Sequence, residues 1–160
     1  MAVGKSAVGR KLARRLGWRF VDVDRAIEEE RRLKVAEIFE REGESGFRQL
    51  EKRKLAEVLS ETNQVIATGG GAVVDDENLS LLKRQSLLVC LTASPETLLR
   101  RSGGGESRPL LRGNDKRRRI EELLGRRRER YAEAHLRVDT DGRTVDQVVE
   151  EIVTAIKNAK

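Results

Sequence analysis

Gly4-Lys5-Ser6-Ala7-Val8-Gly9-Arg10-Lys11-Leu12-Ala13-Arg14-Arg15-Leu16 leads through Gly17 into Trp18-Arg19-Phe20-Val21-Asp22-Val23-Asp24. In the first stretch Val8, Leu12 and Leu16 recur at helical spacing, so residues 6–16 are expected to form an amphipathic helix. The second, 18–24, reads as a strand that ends in acids. The same alternation continues outward from this pair. Residues 64–68 read as a strand stopped by Gly69-Gly70-Gly71, and 86–91 as a strand apolar enough to be covered on both faces. Residues 136–139 form a fourth, short strand that closes on Asp141-Gly142. Helical patterns fall between them, at 25–33, 35–42, 46–60, 75–83, 95–101, 115–134 and 145–159. Short β-branched runs alternating with longer amphipathic stretches indicate an α/β domain with a parallel sheet. No internal repeat interrupts the pattern.

Composition narrows the class. The 160 residues are 38% hydrophobic and 38% charged, with 33 Lys and Arg against 27 Asp and Glu, a net charge of +6. That length suits one domain able to bury a core, and the recurrent Val, Leu and Ile argue against disorder. One cysteine, Cys90, excludes a disulfide framework and a Cys-rich zinc site, while one histidine, His135, excludes chemistry built on several histidines. Aromatic residues are 3%, too few for a base-stacking platform. No apolar stretch approaches the roughly 20 residues of a membrane span. The first 17 residues are basic and lack the apolar segment of a secretory leader, so a cytoplasmic location is expected. The basic excess points to an anionic partner.

Four features carry chemistry. Gly4-Lys5-Ser6 ahead of a helix matches the second half of G-x-x-x-x-G-K-[ST], in which backbone N–H groups at a helix N-terminus cradle phosphate. The lysine adds a point charge and the hydroxyl can ligate Mg2+. Asp22 and Asp24 lie at the C-terminal end of the expected strand, where open α/β sheets bind ligands, and alternation places them on one side. They suit a metal shell and a proton acceptor; capping of the next helix by Asp24 is compatible with either role. Gly69-Gly70-Gly71 permits close backbone approach to a ligand, or simply makes a tight exit turn. The arginine-rich stretch 100–119, interrupted by Gly103-Gly104-Gly105, reads as a lid over phosphates, a nucleic-acid patch or solvated charge. Arg48, taken alone, reads as an ordinary solvated helix residue.

The order of these pieces resembles the shikimate kinases, small P-loop kinases, over nearly the whole chain. The resemblance rests on Gly4-Lys5-Ser6, Asp22-x-Asp24, Phe47-Arg48 with Glu51, Gly69-Gly70-Gly71, Arg108-Pro109-Leu110-Leu111, and Arg127 with Tyr131. It implies a three-layer P-loop nucleoside-kinase-like fold in one domain, 1–160, with a helical substrate-binding segment near 25–60 and a lid near 102–114. It also implies transfer of the ATP γ-phosphate to the 3-hydroxyl of shikimate, on the route to chorismate and aromatic amino acids.

By position, Gly4, Lys5 and Ser6 would bind nucleotide, with Lys5 on the outer phosphates. Ser6 and Asp22 would serve Mg2+, and Asp24 would hold the shikimate hydroxyls and accept the 3-OH proton. Arg48 and Arg127 would clamp the carboxylate, Gly70 and Gly71 would contact the ring, Arg108 would reach the γ-phosphate, and Arg101 and Arg143 would flank the adenine. The implied partners are ATP and shikimate, with no nucleic acid or membrane, and the implied state is a monomer.

The resemblance further implies an apolar strand and a first P-loop glycine ahead of Gly4. It leads us to expect that this sequence starts about 10 residues late. In the family's 2-3-1-4-5 strand order the absent strand would be central, leaving a gap in the sheet whose unpaired groups cost stability. The alternatives are another small-molecule P-loop kinase such as a gluconate kinase, an inactive truncated fragment, and a basic nucleic-acid-binding protein.

Overall fold

A computed structural model describes residues 3–102 and 115–159. Helix α1 (Lys5–Leu16) follows Gly4, whose left-handed backbone (φ 89°, ψ 22°) turns the chain into the helix. Strand β1 (Arg19–Asp22) pairs in parallel with β2 (Gln64–Ala67), Arg19 opposite Gln64 and Asp22 opposite Ala67. Between them run α2 (Val23–Arg31) and α3 (Val35–Leu59). Beyond β2 come a 3-10 turn (Ala72–Val74), α4 (Asp76–Gln85), β3 (Val89–Thr92), α5 (Pro95–Arg101) and α6 (Lys116–Ala132). Strand β4 (Leu136–Asp139) and α7 (Val145–Asn158) complete the described chain. Val89 of β3 pairs with Leu136 and Thr92 with Asp139, again in parallel.

The four strands therefore make two parallel ladders, β1-β2 and β3-β4, rather than one continuous sheet. Among the described residues no ladder pairs β2 with β3, and one helical layer packs against both. Val8 and Leu12 of α1 share a buried cluster with Val148, Val149, Ile152 and Val153 of α7. Val65 of β2 and Val89 and Leu91 of β3 pack against that same cluster. On the other side of the first ladder, α2, α3 and α4 enclose Val23, Ile27, Ile38, Leu55, Leu79 and Leu82. Leu98 of α5 and Ile120 of α6 bury a third, smaller cluster with Val3.

Two boundaries depart from the sequence expectation. The first strand stops at Asp22 rather than Asp24, because its partner β2 ends opposite it and the Asp22 carboxylate then caps α2, accepting from the Arg25 N–H at 3.2 Å. Asp22, not Asp24, is thus the helix cap. The third strand begins at Val89 rather than residue 86. Ser86 is still bound to α4 through its N–H and hydroxyl to the Leu82 carbonyl, and β4 offers its first partner at Val89. Its four residues are half-buried rather than covered on both faces. The two helices expected at 35–42 and 46–60 both form and abut within α3 across a kink at Gly43, whose non-helical φ of 71° and ψ of 179° no other residue type adopts readily. Lys54 ties α3 to α2 from a nearly buried position, donating to Glu57 at 2.7 Å and pairing with Glu30 at 2.5 Å. The expected lid lies almost wholly outside the described residues.

Candidate active site

The N-terminus of α1 is built to receive an anion. α2, α4, α5, α6 and α7 have first-turn amides bound by the side chain of their own cap. The cap of α1 is Gly4, which has no side chain to donate an oxygen, and its first turn carries no acid. Its first-turn N–H groups and the positive end of its dipole lie at a cavity of about 400 Å3 lined by Gly4, Lys5, Ser6 and Ala7. Ser6 stands beside them, its hydroxyl donating to Asp22 Oδ2 at 2.8 Å. Asp22 therefore joins two helix starts, with Oδ2 on α1 and Oδ1 on α2.

Two residues further, in the first turn of α2, Asp24 enters the cavity. Among the described residues its Oδ1 is buried without a hydrogen-bond partner, as is Oε2 of the fully buried Glu51 on α3. Both oxygens converge over Gly69, where a Cβ would sit 2.9 Å from the Glu51 oxygen and 3.3 Å from the Asp24 oxygen. Hydrogen there is what lets the loop after β2 close on the two acids. Burial raises the pKa of Asp24 above the ordinary carboxylate value and the charge of Asp22 raises it further; Lys5 and Arg48 oppose the shift. Burial likewise raises Glu51, against the pull of Arg48.

Arg48, one helical turn before Glu51, donates from Nη1 to Glu51 Oε1 at 2.8 Å. Its guanidinium also lies 5.5 Å from the centroid of Phe47 and directly over Gly71. The side chain keeps 28% of its exposure, and that remaining face lines the cavity. Across the cavity, α6 contributes Arg127, only 7% exposed. One turn on, the Tyr131 hydroxyl donates to the Gly70 carbonyl at 2.9 Å.

The folded chain thus brings Gly4, Lys5, Ser6, Asp22, Asp24, Arg48, Gly70, Gly71 and Arg127 to one cavity. Arg101 and Arg143 are not among its lining residues. Arg101 binds the side-chain and backbone oxygens of Thr140, and Arg143 binds the Asp139 and Gln147 carbonyls and pairs with Glu151. Arg108 lies outside the described residues. Two participants carried no role in the sequence reading: Glu51, which holds Arg48, and Tyr131, which holds the glycine loop. Their signals were an acid three residues after an arginine and a phenol four after another, both same-face helix spacings.

A family model described as shikimate kinase matches residues 1–157. The chain belongs to the shikimate kinase family. A shikimate kinase from Gloeobacter violaceus is 50% identical over 142 residues, covering 89% of this chain and 80% of the relative. One from Persephonella marina is 43% identical over 157 residues, covering 98% of this chain and 94% of the relative. Among solved structures, shikimate kinase from Acinetobacter baumannii in complex with shikimate superposes with a TM-score of 0.97 at 36% identity. That match covers all of this chain and 90% of the other. Membership assigns the P-loop kinase fold and ATP-dependent kinase chemistry. Among the described residues no helix is long and apolar enough to cross a membrane.

Proposed function

We propose that this chain transfers the γ-phosphate of ATP to the 3-hydroxyl of shikimate, giving shikimate 3-phosphate and ADP. One observation carries the reading: a helix N-terminus with Lys5, two cavity-facing arginines and a buried acid with an unpartnered oxygen share one cavity. The first receives polyphosphate, the second a carboxylate, the third a hydroxyl. A guanidinium fork matches a planar carboxylate better than an ammonium does, which suits Arg48 and Arg127 to the acid group of shikimate.

In this reading the backbone of Gly4 and the α1 amides hold the phosphates, and Lys5 draws charge off the β- and γ-groups. Asp24 binds the 3-hydroxyl and takes its proton at the carboxylate as the hydroxyl oxygen bonds to phosphorus and the bond to the ADP oxygen breaks. Burial raises its pKa, which makes the carboxylate a better proton acceptor than that of an exposed aspartate. Positioning and charge neutralisation supply the catalysis, with no covalent intermediate on the protein.

Gly70 and Gly71 offer backbone contacts to the ring. Arg108 would add charge at the γ-phosphate, and Arg101 and Arg143, held at the C-terminal end of β4 through Thr140 and Asp139, would bound the adenine. The adjacent hydroxyl of Ser6 and carboxylate of Asp22 are hard oxygen donors that fit Mg2+. When bound, the ion neutralises charge on the β- and γ-phosphates. The anionic substrates also explain the net charge without a nucleic acid.

A coupled ADP-release assay tests the proposal. Release should require shikimate and should not be supported by gluconate. Turnover with gluconate but not shikimate would assign a different acceptor.

A further inference from the structure

The loop between β2 and the 3-10 turn has no regular structure of its own, yet its peptide planes decide which groups face the cavity. Gly69 accepts from the Ala72 N–H at 3.1 Å and Gly71 from the Val74 N–H at 3.1 Å, which closes the turn on its outer side. Neither the Gly70 nor the Gly71 N–H donates to another described residue. Among the described residues the peptide between them makes one hydrogen bond, from the Tyr131 hydroxyl to the Gly70 carbonyl at 2.9 Å. The peptide is trans, so its C=O and N–H point in opposite directions. A carbonyl drawn toward α6 turns the Gly71 N–H away from α6, toward the cavity that both glycines line.

We propose that Tyr131 is a positioning residue for the acceptor substrate: by holding the Gly70 carbonyl it aims the Gly71 N–H at the bound shikimate. The proposal rests on the reading above, that the glycine loop contacts the acceptor. It couples two substrate contacts through one helix, since Arg127 lies four residues before Tyr131 on the same face of α6. A guanidinium and an oriented amide then meet the ligand from a shared support. Burial keeps the phenol protonated, so it remains a donor through the neutral range. Phenylalanine would fill the same space and leave the peptide free to rotate.

The test is Tyr131→Phe beside wild type, with shikimate and ATP varied separately. The expected result is a shikimate KM raised about three- to tenfold, the range of one hydrogen bond, with ATP KM unchanged and kcat within about twofold. The ratio of KM for shikimate carboxamide to that for shikimate should stay at the wild-type value in Tyr131→Phe and collapse in Arg127→Ala. That separates the amide from the carboxylate clamp. In a 1H–15N spectrum the Gly71 amide should move on adding shikimate to wild type and move less in Tyr131→Phe. An unchanged shikimate KM, a collapse of the acid-to-carboxamide ratio in Tyr131→Phe, or equal losses for both substrates with a lower Tm would each overturn the positioning role. If wild type shows shikimate-dependent turnover in the same plates, those results refute Tyr131 alone. A wild-type chain that releases no ADP with shikimate overturns both readings.

Discussion

Replacing Gly71 with alanine adds one methyl group at the point where the loop meets Arg48. The methyl carbon would lie 2.7 Å from both Cζ and Nη1 of the Arg48 guanidinium and nearer still to Nη2. Nothing in the backbone resists it, because Gly71 has φ −90° and ψ −9°, open to any residue. Alanine at such a site even stabilises by about 0.4–1 kcal/mol through the unfolded chain. The steric conflict therefore falls on the end of a flexible arginine, which moves aside. Moving it breaks the 2.8 Å bond to Glu51 and, in the proposed reading, the fork presented to the carboxylate. A hydrogen bond to a charged group contributes about 1.5–3 kcal/mol. Each 1.4 kcal/mol is tenfold, so the shikimate KM should rise roughly 10- to 100-fold. Steady-state kinetics with each substrate varied, alongside a thermal melt, provides the assay. ATP KM should hold and the Tm should shift by only a few degrees. An unchanged shikimate KM would refute the placement of Arg48 over the acceptor, and an equal rise for ATP would refute the division of the cavity.

Asp24→Asn should lower kcat by about 10²- to 10⁴-fold, the usual worth of a positioned proton acceptor, while fluorescent-nucleotide titration shows ATP binding unchanged. Wild-type turnover in that variant would remove Asp24 from the reaction. The same acid sets a pH dependence of stability. Asp24 and Glu51 have folded-state pKa values above their ordinary ones, so the folded chain binds their protons more tightly than the unfolded chain does. Their contribution is full below the ordinary carboxylate range and is lost as pH rises through the raised values. Melts across that interval should therefore show wild type losing Tm relative to Asp24→Asn as pH rises; a gain would contradict the burial of the pair. Because each of the four strands has a ladder partner on one edge only among the described residues, an extended β-branched peptide should raise the Tm by edge pairing, whereas its proline-substituted form should not. Equal effects from both peptides would deny that the edges are available.

Residues 4–6 and the helix after them were legible because local chemistry decides them. A glycine cap, a lysine and a hydroxyl open a clean helical period, and α1 forms there with no side-chain bond from its cap. The two acids were legible as a pair but not in their geometry. Period-two alternation was extended past Asp22, whereas the strand ends with its partner and Asp24 is carried into the first turn of α2. Arg48 was opaque on local grounds, since nothing near it in the chain distinguishes it from a solvated helix arginine. Its function-bearing position comes from Gly71, 23 residues later, and from Glu51, whose burial no short window reveals. The third strand was misplaced for the same reason, because its start depends on where β4 begins. Family resemblance supplied the roles that proximity in sequence could not. The cavity unites nine of those residues and leaves Arg101 and Arg143 engaged elsewhere.

The most direct measurement is the identity of the phosphorylated product. With ATP and shikimate supplied together, 31P NMR and mass spectrometry should show one new phosphate monoester, on the 3-oxygen of shikimate, formed in step with ADP. Inorganic phosphate as the sole new species, or a phosphoester formed with gluconate and not with shikimate, would contradict the assignment of the cavity to a carboxylate-bearing acceptor.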